Sequence, residues 1–156
     1  MRPILLLLLT CALAVGAAGC GGGGSSGGSQ QSFSNYETQM QALGARLGAA
    51  IEAAGNKNIG ASSPAIVHNL QHVQLLLRNA AAKLAQITPP SKVAAEHQAL
   101  MTGVRDYANE LNGIISSVKN GGGTQALAGI FKLHGLIEIR NASQAIEKAG
   151  FAIVAP

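Results

Sequence analysis

The chain has 156 residues, enough for one domain of ordinary size. Apolar residues make up 47% and aromatic ones only 3%, with no Trp, so a core must come from Ala, Leu, Ile and Val. The formal charge is +4, and Lys57, Lys83, Lys92, Lys119, Lys132 and Lys148 lie far apart, which leaves no basic stripe for a nucleic acid.

The first segment is a leader. Arg2 supplies a positive start, and residues 4–18, "ILLLLLTCALAVGAA", carry no charge. Fifteen residues are short for a membrane-spanning helix of about 20. They fit the apolar stretch of a secretory signal. Small residues close it as Ala17-Ala18-Gly19, and Cys20 follows. This stretch resembles the lipobox of bacterial lipoprotein precursors, with Ala17 where Leu is commonest. The resemblance implies cleavage before Cys20, diacylation of its thiol with chains such as palmitate, and a lipid-anchored protein on the extracytoplasmic face of the bacterial cell membrane. Two other readings stay open. One is ordinary signal cleavage after Val15-Gly16-Ala17, leaving a free thiol; the other is an uncleaved anchor. The second cysteine, Cys11, lies inside the leader, so a chain starting at Cys20 can form no internal disulfide.

Residues 20–32 read as the lipidated cysteine and a disordered Gly/Ser tether. A flexible coil of about 12 residues spans roughly 17–21 Å, a spacer between bilayer and domain. The folded domain is then 33–156.

Four helices are expected in that domain. The first spans 33–54, with Phe33, Tyr36, Met40, Leu43, Leu47, Ile51 and Ala54 on one face, Ser34 and Glu37 as a capping box, and Gly55 as the stop. The second spans 64–87, with Ser63 as N-cap before Pro64. Its stripe is Ile66, Leu70, Val73, Leu77, Ala80, Leu84 and Ile87, ended by Pro89 and Pro90. The third spans 90–119, with Val93, His97, Leu100, Val104, Tyr107, Leu111, Ile114 and Val118 facing inward. "NGGG" at 120–123 breaks it. The fourth spans 124–149, capped by Thr124, with Leu127, Ile130, His134, Ile137, Asn141 and Ala145 as its main stripe. No run alternates with period two. Short connections predict an all-α, antiparallel up-down four-helix bundle. Helix-interior glycines, among them Gly103 and Gly135, would permit close helix approach where they face the core.

Several residues are candidates for chemistry. His68 and His72 are four apart, a spacing that can place two imidazoles on one metal. They fall roughly 160–200° from the apolar stripe, so a surface pair is the competing reading. His97 and His134 both fall on stripes, but differ in height by roughly 16 Å and cannot share a metal or a dyad. Each then reads as a hydrogen-bonded core or end residue. Tyr107 and His134, with Asn141, form a candidate buried polar layer fixing helix register. Leu136, Ile139 and Ile146 fall opposite the main stripe. They are either covered by neighbours or form an apolar interaction surface, over which the tail "GFAIVAP" could fold. No di-iron Glu-x-x-His repeat and no "CxxCH" haem attachment occurs.

The domain resembles the small Ala-rich helical lipoproteins of high-GC Gram-positive bacteria, through "ITPPSKVAAEHQAL" at 87–100. The resemblance implies no activity. The expectation is a non-enzymatic binding or interaction module without a cofactor, held to the membrane through Cys20, with a protein or an apolar ligand as partner. The alternative is a small metal- or haem-binding bundle at the cell envelope using His68, His72 or His134, and an envelope enzyme comes third.

Overall fold

The computed structural model describes residues 27–57 and 61–153. The leader 1–19, Cys20 and tether residues 21–26 lie outside the described residues, as do 154–156. Four helices follow in chain order: α1 (Gly27–Lys57), α2 (Ser63–Leu84), α3 (Ala94–Ser117) and α4 (His134–Lys148). No strand occurs among the described residues. Consecutive helices pack as neighbours, the antiparallel up-down arrangement that the short connections predict. Among the described residues no helix is long and apolar enough to cross a membrane.

The first helix departs from expectation at both ends. It begins at Gly27, ahead of the expected start at Phe33, and it runs through Gly55 to Lys57. Propagation adds one hydrogen bond per residue fixed, so a helix anchored by buried Tyr36, Met40 and Leu47 extends easily beyond its packed part. Ser34 therefore lies inside the helix and forms no capping box. Its carbonyl accepts the Thr38 hydroxyl at 2.9 Å, and Glu37 turns to the C-terminal tail instead.

The second and third helices match their sequence patterns closely. Ile66, Leu70, Val73, Leu77, Ala80 and Leu84 are all buried on α2, which Ser62 precedes as N-cap, one residue before the expected Ser63. On α3 the inward face holds His97, Leu100, Val104, Tyr107 and Leu111. A 3-10 turn at Ser91–Val93 leads into it, and a π turn at Val118–Gly122 leads out. Gly121 and Gly123 take φ of 93° and 48° there, so the expected break is made by residues that tolerate positive φ.

The expected fourth helix is two pieces. A 3-10 helix, Gly123–Lys132, comes first; Leu133 is then extended (φ −65°, ψ 139°), and α4 starts at His134. This single extended residue resets the angular phase. A stripe extrapolated from Leu127 and Ile130 no longer applies beyond it. The buried face of α4 is Gly135, Ile139, Ala142, Ser143 and Ile146.

That face lets α3 and α4 approach almost backbone to backbone. A Cβ on Gly103 would lie 2.9 Å from both Glu138 Cβ and Ile139 N, and Gly135 sits against the Tyr107 backbone. Glu110 of α3 accepts the Gly135 N–H at 3.0 Å and so satisfies an orphan donor at the start of α4. At the other end α4 closes in a Schellman motif. Gly150 (φ 94°) donates to Glu147 O at 2.9 Å and Phe151 donates to Ile146 O at 3.3 Å. Lys92 caps the same end through Ala149 O at 2.6 Å. The turn sends Phe151 and Ile153 back against α1, both buried. Phe151 meets Phe33 and Tyr36 edge-on, each at 5.6 Å between ring centroids. Gln41 Nε2 donates to Ala152 O at 2.7 Å, and Ala152 N–H donates to Glu37 Oε1 at 2.8 Å. The tail thus ties α1 to α4. A small cavity of about 30 Å³ touches all four helices and Ile153, which places one common core inside the bundle.

Candidate functional site

The sequence candidates do not converge. His68 and His72 are both exposed on α2. Among the described residues no three His, Cys, Asp or Glu side chains gather as a metal set. The expected layer of Tyr107, His134 and Asn141 does not form. Tyr107 is fully buried, but His134 and Asn141 are exposed, because the break at Leu133 turns them outward. His134 instead lies 3.7 Å from half-buried Glu138 on its own helix, a long contact at an exposed imidazole and of small energetic weight. Of the two readings of Leu136, Ile139 and Ile146, the covered one holds. Ile139 and Ile146 are core residues and Leu136 is half-buried, for the same reason of phase. Cys20 lies outside the described residues.

Among the described residues His97, Gln74 and Ser143 are buried polar groups, and the first two bond across helices. His97 donates from Nε2 to Leu84 O (2.9 Å), since a carbonyl can only accept. In the tautomer that carries its proton on Nε2, Nδ1 accepts the Tyr36 hydroxyl (3.2 Å), and both ring nitrogens have a partner. This links α1, α2 and α3 near one end of the bundle, and it matches the expectation of a hydrogen-bonded core histidine. Burial, and secondly the Glu96 carboxylate, push the Tyr36 hydroxyl up to about 12; burial alone does the same for Tyr107. The second group is Gln74, whose amide donates to Ala108 O (2.7 Å) and Asn112 Oδ1 (2.9 Å). It lies beside Val73 in sequence and reads as a surface position.

One open concave surface among the described residues is the α1–α2 groove. One lobe of about 360 Å³ is lined by Leu43, Arg46 and Leu47 of α1 with Leu76, Ala80 and Lys83 of α2. A second lobe of about 300 Å³ adjoins it and shares Leu43, Arg46 and Lys83, adding Gln39, Gln86 and Ile87. Its residues recur at three- and four-residue steps on both helices, so the groove follows one face of each. The floor is aliphatic, two cations flank it, and no carboxylate lines either lobe. Among the described residues neither Arg46 nor Lys83 has an ion pair.

The field around this groove has a sequence origin. Residues 53–95 contain no Asp or Glu, yet hold Lys57, Arg78, Lys83 and Lys92. The seven basic residues outside this segment balance the seven acidic ones, so the whole net charge of +4 resides here. Scattered lysines conceal this; the missing carboxylates reveal it. Such a one-signed cleft attracts anions. The chain matches no family model, no curated protein and no solved structure.

Proposed function

We propose that the chain is a lipoprotein precursor whose folded part is a non-enzymatic binding module. Cys20, diacylated, holds it at the extracytoplasmic face of the bacterial cell membrane, and the α1–α2 groove faces its ligand. The observation that carries this reading is Ala17-Ala18-Gly19-Cys20 behind a charged start and an uncharged apolar run. Two acyl chains on one cysteine suffice for stable anchoring where one is marginal. The groove supports the binding role: its lobes, about 360 and 300 Å³, fall at the small end of the range for ligand sites.

Metabolic labelling with an alkyne-tagged palmitate in an actinobacterial host tests the anchor. The wild-type chain is expected to take up label, to sediment with membranes and to begin at Cys20 by mass spectrometry. Cys20→Ala is expected to lose the label. An unlabelled wild-type chain released into the medium, beginning near residue 18, overturns the reading.

A further inference from the structure

The groove's lining narrows the chemistry of what it can hold. Its floor, Leu43, Leu47 and Ala80, also walls the small apolar cavity at the centre of the bundle. Those three side chains therefore separate the groove from the core, and an apolar chain laid on them continues the core outward. At the junction of the two lobes stand Arg46 and Lys83, one from each helix. A guanidinium and an ammonium facing the same opening favour one anionic head, and the guanidinium fork matches a carboxylate in geometry. Gln39, Asn79 and Gln86 line the rim and add amide donors without adding charge. An aliphatic floor beneath paired cations, with no carboxylate in the lining of either lobe, is complementary to a single-chain anionic amphiphile.

We propose that the α1–α2 groove binds a long-chain fatty acid, its carboxylate held by Arg46 and Lys83 and its chain laid over Leu43, Leu47 and Ala80. This rests on reading the folded part as a binding module. The lobe volumes suit one chain, and the bundle offers the chain an apolar bed while the head stays at the solvent edge. Binding closes the like-charge pair around an anion, which neither cation finds within the described structure.

The core side chains among the described residues lie between Tyr36 and Ile153, so the soluble chain from residue 20 carrying Cys20→Ser retains them and serves for the test. It is titrated calorimetrically with dodecanoate below its micellar concentration, and with dodecanol as the uncharged counterpart. One saturable site is expected, with dodecanol at least about tenfold weaker, the loss that goes with a charge-assisted hydrogen bond. The double variant Arg46→Gln/Lys83→Gln is expected to weaken dodecanoate by about tenfold or more and to leave dodecanol unchanged. Ala82→Trp, at an exposed position on the groove wall, is expected to block both amphiphiles while the thermal melt stays that of the parent. No saturable binding by the parent, equal affinity for dodecanoate and dodecanol, or an unaffected double variant each overturns the proposal. Palmitate labelling at Cys20 reads separately: a labelled chain that binds no dodecanoate keeps its anchor and loses only this ligand.

Discussion

Gly135 of α4 lies against the backbone of Tyr107 of α3, close enough that a Cβ there would fall inside the envelope of the Tyr107 amide nitrogen. Backbone cannot retreat as a flexible side chain can. Gly135→Ala must therefore push α4 away from α3 and open the contact around Ile139. A loss of about 3 kcal/mol is expected in urea unfolding. Gly113→Ala is the control. Nothing lies within 4 Å of its Cβ, so the ordinary helix preference for Ala applies and a gain of about 0.5–1 kcal/mol is expected. Equal effects at the two sites would contradict the close crossing.

His97 and Tyr36 form the second buried relationship. Tyr36→Phe removes the hydroxyl and leaves Nδ1 of His97 buried without its donor. The expected cost is about 1–2 kcal/mol, that of an unsatisfied buried acceptor. His97→Leu removes both bonds but also orphans the Tyr36 hydroxyl and leaves Leu84 O without the imidazole donor. In a double-mutant cycle, Tyr36→Phe is expected to cost less in the His97→Leu background than in wild type. Strict additivity would show that the pair carries no coupling.

The two buried tyrosines give the chain an alkaline limit. Tyr36 and Tyr107 are pushed from 10 to about 12, so the folded state keeps phenolic protons that the unfolded chain releases. Their contribution is fully present below pH 10 and is lost as pH rises through about 12. The size is of order 2 kcal/mol per tyrosine across that window. Unfolding followed from pH 9 to pH 12, with phenolate absorbance recorded in parallel, checks this. Phenolate appearing near pH 10 with the fold intact would contradict it.

How far the sequence spoke depended on unbroken helical phase. On α2 and α3 the apolar stripe runs without interruption, and nearly every inward residue was legible. On the fourth segment the stripe crosses Leu133, where no proline or helix-breaking motif announces an extended residue. The pattern predicts His134, Ile137 and Asn141 inward and leaves Ile139 and Ile146 either covered or exposed; the structure exposes the first three and buries the last two. The cause is tertiary. Gly135 can meet Tyr107 only if α4 starts in a new phase, and that demand comes from α3. Glycine spacing alone signalled the close approach but not its register.

The groove was hidden for a different reason. Arg46 and Lys83 are 37 residues apart in sequence, and only the pairing of α1 with α2 brings them to one opening. Counting lysines along the chain shows no cluster. Counting where carboxylates are missing shows the 53–95 segment at once. Gln74 was similarly unreadable, because a buried glutamine depends on acceptors that another helix supplies.

The C-terminal tail depends on one glycine. Gly150 at φ 94° lets the Schellman turn aim Phe151 at Phe33 and Tyr36. An alanine there must adopt the left-handed region at about 1–2 kcal/mol. Phe151→Ala empties a buried ring site and is expected to cost about 3–5 kcal/mol. Both substitutions act through the seating of the same ring. If the strained turn in Gly150→Ala already loosens Phe151, the double variant costs less than the two single changes together. Thermal melts of the four chains in one buffer measure this. Full additivity would mean that the turn holds its course with alanine in it, and that Phe151 finds α1 without help from Gly150.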